Sequence, residues 1–215
     1  MQPGNEVNDQ RAGRSFIESA RRAQIVRAAI DTIADVGFGK ASFARIAERA
    51  GISASLISYH FAAKGDLIEQ VVRDVDAEMD RALTERAEGA ETYLTALRAL
   101  IEGFVHYCAE HPAEMLAVGR IHNATRGDEP SGRRVAEYDA SLQELIDMLR
   151  EGQEAGEFRD FSPRYMAVTI TAAFQGVPGE LFAKPDTDVA AYADELATTF
   201  EHAVRRAMRG RRKNG

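Results

Sequence analysis

Between Gly51 and Lys64 the chain reads GISASLISYHFAAK, a stretch rich in hydroxyls and free of carboxylates. Small hydroxyls donate to phosphate oxygens and base edges, and a region with no acid does not repel a polyanion. The surrounding pattern supplies two short helices around a glycine. Ser42 caps the first, whose buried face is Phe43, Ile46, Ala47 and Ala50. Gly51 takes the left-handed or sharp turn that a side chain would resist, and Ser53 opens the second. With Ile57 and Phe61 turned to the core, the outward set of the second helix is drawn from Ser53, Ala54, Ser55, Leu56, Ser58, Tyr59 and His60, with Lys64 just after. Tyr59 and His60 have a second reading, as rings covering the core edge with polar tips outward.

Other chemistries find little support. There is no Ser-His-Asp ordering, no phosphate-cradling glycine loop and no dinucleotide fingerprint. His106, Cys108 and His111 invite a metal reading, yet on a helix they span about 200° of arc and cannot converge. We therefore expect no catalytic residue, no metal and no cofactor. The one cysteine, Cys108, forbids an internal disulfide and fits a reducing compartment, so a cytoplasmic location is expected. No run of 18 apolar residues and no secretory signal is visible, which argues against a membrane partner.

The formal charge of −7 over 215 residues is unevenly spread. Residues 1–64 carry +3, residues 65–204 carry −16 and residues 205–215 carry +6. A polyanion would meet the head, and the acidic body would repel it and keep the chain soluble. The other reading is a solvated acidic surface with no partner.

These residues need helices to position them, and no window alternates with period two, so the chain reads as all-α with about nine helices. Ser15 with Glu18 reads as a capping box for a first helix with the stripe Ile17, Ala20, Gln24, Ala28, Ile33 and Val36. Asp66 opens a longer helix carrying Leu67, Val71 and Val75. Further stripes step by three and four from Leu94 to Cys108, from Val135 to Leu149 and from Met166 to Leu181. Ser162 with Pro163 starts the last of these, and Gly176, Pro178 and Gly179 predict a kink or early end in it. Asp186 or Thr187 caps a final helix.

Residues 42–67, SFARIAERAGISASLISYHFAAKGDL, resemble the DNA-binding signature of the TetR family of bacterial transcriptional regulators. The family's ending, an aromatic-rich Tyr-x-His/Tyr-Phe followed by two residues and Lys-x-x-Leu, stands here as Ser58 to Leu67. Ser58 replaces a usual aromatic, and Phe43 and Ala44 stand where polar residues are common. The resemblance implies a basic N-terminal arm over 1–14, a helix-turn-helix domain over 15–64, a helical ligand-binding and dimerisation domain over 65–209 and a basic tail over 210–215. It implies that Ser53, Ala54, Ser55 and Ser58 lie at base edges or phosphates of double-stranded operator DNA. Tyr59 and His60 would hold phosphates, and Lys64 would anchor the backbone. Ser42 and Arg45 could meet a phosphate beside the backbone amides of their helix start. Arg11, Arg14, Arg21 and Arg22 could reach the duplex as an arm, or stand as a solvated end.

One such motif makes too few contacts for specificity, so a homodimer is expected. The resemblance implies pairing through the last two helices, with Met166, Ile170, Phe174, Leu181, Tyr192, Leu196, Phe200 and Ala203 as interface candidates. Phe104, Tyr107, Met115, Ile121, His122, Asn123, Tyr138, Met148 and Gln175 mix apolar bulk with donors, as a small-molecule cavity does, or are plain core. The expected function is a transcriptional repressor released from DNA by an unidentified small-molecule effector. The alternatives are a DNA-binding protein that ignores ligands and, remotely, an all-helical enzyme.

Overall fold

Serine and aspartate caps, a left-handed glycine and helix-favouring interiors divide this chain into helices. A computed structural model describes residues 5–125 and 132–206, with side chains over 16–125 and 138–206. Among them the order is α1 (Asn5–Val36), a 3-10 turn (Phe38–Lys40), α2 (Phe43–Ala50), α3 (Ala54–His60), α4 (Lys64–Ala87), α5 (Tyr93–Glu110), α6 (Pro112–Thr125), α7 (Gly132–Glu154), α8 (Pro163–Ala183) and α9 (Val189–Val204). Extended pairing among the described residues is limited to an isolated bridge between Phe158 and Arg205. The architecture is all-α. Among the described residues, no helix is long and apolar enough to cross a membrane.

The chain forms two compact units. The head comprises Met1–Ala77 with Ala113–Gly127, and the body comprises Glu78–Pro112 with Asp128–Gly215. This differs from a boundary at 64/65, because the first half of α4, to Ala77, and nearly all of α6 belong to the head. Ala117, Val118 and Ile121 of α6 join a core with Ile25, Ile33, Ile46, Ile57, Leu67 and Val71. Polar ties reinforce it: Arg120 Nη1 donates to the Ile33 carbonyl at 3.0 Å, and Arg27 pairs with the buried Glu114.

Helix α1 begins at Asn5, so Ser15 lies inside it and is not its cap, and residues 5–14 continue the helix instead of forming a separate arm. The expected stripe is also displaced. Ile17, Ala20 and Gln24 are exposed, whereas Ile25, Val26, Ala29, Ile30 and Ile33 are buried, because only from Ile25 onward does α1 meet the rest of its core. Gln24 serves α2 instead, its Nε2 donating to the Ala50 carbonyl at 2.8 Å.

The body core is built from Leu97 and Ile101 of α5, Leu142, Ile146 and Leu149 of α7, Ala167 and Ile170 of α8, and Ala197, Phe200 and Val204 of α9. Phe158, after α7, fills a slot over Gly152. A Cβ at residue 152 would lie 2.4 Å from its ring, so only glycine fits. Arg98 ties α5 to α9, meeting Asp194 at 2.9 Å and Glu201 at 3.0 Å and donating to Thr198 at 2.8 Å. Ser162 caps α8 with Pro163 in its first turn, as expected. The helix does not end at Gly176 to Gly179 but runs through Pro178 to Ala183, held by buried Val177 and half-buried Leu181. Asp188, not Asp186 or Thr187, caps α9, accepting from the Ala191 N–H at 3.0 Å.

Candidate nucleic-acid interface

The geometry around α3 follows from local rules. Ser42 Oγ accepts from the Arg45 N–H and starts α2. Gly51 then adopts φ 66° and ψ 32°, its N–H bonding back to α2. Ser53 caps α3 by accepting from the Leu56 N–H at 3.2 Å. One inward residue, Ile57, is fully buried, and Phe61 closes the segment in the core.

Everything else on α3 turns outward or sits at the rim. Ser53, Ala54, Ser55, Ser58 and Tyr59 are exposed, with Tyr59 at 74%, and Leu56 and His60 are half-buried. Ser53 and Ser55 hydroxyls lie 2.9 Å apart, and Ser58 Oγ donates to the Ala54 carbonyl at 3.2 Å. The Tyr59 and His60 rings meet edge to face at 5.1 Å, which fixes each against the other. The face therefore presents hydroxyls and two rings, and no carboxylate. Arg45 is exposed on α2 and lines a groove of about 460 Å³ with Thr32, Val36, Glu48 and Arg49. Arg49 pairs with Asp35 at 2.6 Å.

Three cations expected on DNA are occupied within the head. Lys64 Nζ donates to the Phe38 carbonyl at 2.8 Å and sits 4.5 Å over the Phe38 ring. Its partial burial lowers its pKa. Arg22 donates to the His60 carbonyl at 2.6 Å and lies 4.3 Å over the Phe61 ring, and Arg21 donates to Gln24 at 2.6 Å. The side chains of Arg11 and Arg14 and the tail beyond Arg206 lie outside the described residues.

The residues read as a cavity are shared between the two units. Phe104 is buried and stacks on Phe174 at 4.1 Å, and Tyr107 is buried and stacks on His111 at 4.2 Å. Met148 is half-buried against the body core, and Gln175 and Tyr138 are exposed. Met115, Ile121, His122 and Asn123 belong to α6 in the head. Of these Ile121 is core, Met115 is half-buried, and His122 and Asn123 are exposed. Burial pushes the Cys108 thiol up to about 12, so it is inert when folded.

The dimer candidates divide between the core and its rim. Ile170 and Phe200 are core, and Met166, Phe174 and Leu196 pack against that core. Tyr192, Leu181 and Ala203 are half-buried. The outward face of α8 carries Tyr165 (74% exposed), Thr169, Ala172, Gly176, Gly179 and Phe182 (64%), residues that the apolar stripe of the sequence does not include.

Comparison with known proteins agrees with the geometry. The family model described as "Bacterial regulatory proteins, tetR family" matches residues 25–71, from the first core residue of α1 into α4. The HTH-type transcriptional regulator BetI 1 of Chromohalobacter salexigens is 40% identical over 88 residues, 40% of this chain and 44% of that protein. The chain thus spans about half the length of the curated relatives it matches. A TetR-family regulator from Rhodococcus sp. superposes with a TM-score of 0.70 at 25% identity, covering 86% of this chain and 98% of its own. A transcriptional regulator FadR from Bacillus subtilis, solved in complex with stearoyl-CoA, superposes with a TM-score of 0.70 at 19% identity, covering 82% and 95%, a likeness of fold. In the helix-turn-helix of α2 and α3, over residues 25–71 and in its all-helical fold, this chain is similar to the TetR family of bacterial transcriptional regulators.

Proposed function

We propose that the chain is a cytoplasmic, homodimeric, ligand-responsive repressor that reads operator DNA with α3. The carrying observation is the outward face from Ser53 to Tyr59, exposed, hydroxyl-bearing and without a carboxylate, on a helix fixed by a left-handed Gly51 and an inward Ile57. Such a face can enter a major groove and donate to base edges. Ser53 and Ser55 at the helix start take base or phosphate contacts with Ala54 beside them, Ser58 and Tyr59 line the groove wall, and His60 and Arg45 take phosphates. Ser42 brings the first amides of α2 to the backbone. Lys64 acts from within the head, holding the start of α4.

The outward face of α8 supports pairing with a second copy. Gly176 and Gly179 cost helix stability, and nothing lies within 4 Å of a Cβ built on either. Glycines with open space beside them let a second helix approach closely, with Tyr165 and Phe182 as flanking anchors. A seated dimer represses by excluding other proteins from the site. Effector contacts we assign to the apolar body interior where Phe104 stacks on Phe174. The bound stearoyl-CoA of the Bacillus subtilis neighbour supports a ligand-taking body in this fold. An effector lowers operator affinity only by the ratio of its affinities for the two states.

The test is selection of duplexes from a random library by the full chain. Enrichment of an inverted repeat with half-sites about 34–36 Å apart is expected. Binding with no enriched sequence would overturn the reading.

A further inference from the structure

Helix α3 has seven residues, barely two turns, and a helix this short is marginal without outside support. Its N-terminus is capped by Ser53, but the residue that follows its last turn, Phe61, is extended at φ −135° and ψ 114°, with no glycine to turn the last carbonyls back. The support comes from α1. Arg22 Nη1 donates to the His60 carbonyl at 2.6 Å, Nη2 reaches Gln70 Oε1 of α4 at 3.4 Å, and the guanidinium plane lies 4.3 Å over the Phe61 ring. One group therefore ties α1, the end of α3 and α4 together. A cation at a helix C-terminus also interacts favourably with the helix dipole.

We infer that Arg22 is a positioning residue for the reading helix, fixing the end that carries Tyr59 and His60 and making no DNA contact itself. The inference rests on the proposed reading of DNA by α3. Its chemistry requires a fork: two nitrogens serve two acceptors on different elements while the guanidinium carbon sits over a ring, which a lysine ammonium cannot reproduce.

The experiment uses the full chain with Arg22→Met, Arg22→Lys and wild type, and two probes: a duplex selected by the wild type from a random library and an unselected duplex of equal length. In the absence of DNA, hydrogen exchange at the amides of residues 57–61 is expected to quicken about tenfold in Arg22→Met, with α9 unchanged. With DNA, both variants should lose preference for the selected duplex, while the slope of log affinity against log salt stays at the wild-type value. A phosphate contact behaves otherwise: Arg22→Met would weaken both duplexes equally and reduce the slope by about 0.9 per subunit, and Arg22→Lys would restore binding. That pattern, or unchanged exchange at 57–61, overturns the inference. Should wild type select no duplex, the DNA reading fails, and the exchange measurement still decides whether Arg22 holds the end of α3. Arg22→Lys keeps the charge and stem, so it guards against loss of folding in Arg22→Met.

Discussion

The head and the body bury similar residues but differ in what they leave outside. The head exposes a short helix whose hydroxyls and rings have donors and few internal duties, while its cations are largely spent inside: Arg22 on His60, Lys64 on Phe38 and Arg27 on Glu114. The body exposes, on α8, small residues between two aromatics, a surface suited to close contact with another helix. The proposed reading surface on α3 and the proposed pairing surface on α8 are what a two-fold DNA reader needs, and they fail in different ways.

The sharpest way to separate them is to block pairing without touching the head. Gly176→Trp places a large side chain into open space, so the monomer fold should survive and sedimentation should show half the wild-type mass. Losing the second reading head should weaken operator binding roughly 100-fold or more, by loss of bivalency. A tryptophan variant that remains dimeric would move the pairing surface elsewhere. Next in size, Arg45→Ala should weaken selected and unselected duplexes alike, roughly tenfold at low salt, and lower the salt slope by about 0.9 per subunit. Binding isotherms across salt concentrations check this.

A smaller effect is expected from Ser53→Ala, which removes the cap of α3. Stability should fall by about 1 kcal/mol, or about 2–4 °C in melting temperature for a chain of this size. The body supplies the smallest. Partial burial, then the like charge of Glu144, raises the pKa of Asp80 on α4. A carboxyl raised in the folded state favours folding when protonated, below the ordinary carboxylate range, and that contribution is lost as pH rises through the folded value. Asp80→Asn should therefore raise the melting temperature at pH 7.5, with the gain disappearing at pH 3. A pH-independent difference would remove Asp80 from the account.

The same contrast explains what was legible in the sequence. Ser42, Gly51 and Ser53 could be read because capping and a left-handed turn are local chemistry, settled within four residues. Ile57 and Phe61 followed from helical spacing. Arg22 and Lys64 could not be placed, because their acceptors lie 38 and 26 residues away. Nor could the attachment of α6 to the head, which rests on Ala117, Val118 and Ile121 meeting residues from α1 and α4. On α8, apolar spacing led to Ile170, which the monomer buries, while the outward Tyr165, Gly176, Gly179 and Phe182 share the helical spacing without its apolar pattern, because glycines interrupt it.

The central claim is that the outward face of α3 lies against bases. It is tested most directly by disulfide trapping on a selected duplex carrying thiol-tethered bases in the major groove. The native Cys108, buried with its thiol pushed up to about 12, stays silent. Ser55→Cys should cross-link to a base within one half-site, and Thr199→Cys on α9, exposed in the body, should not. A protein that stays bound while Ser55→Cys remains unlinked at every tether, or that links through Thr199→Cys, would contradict the account.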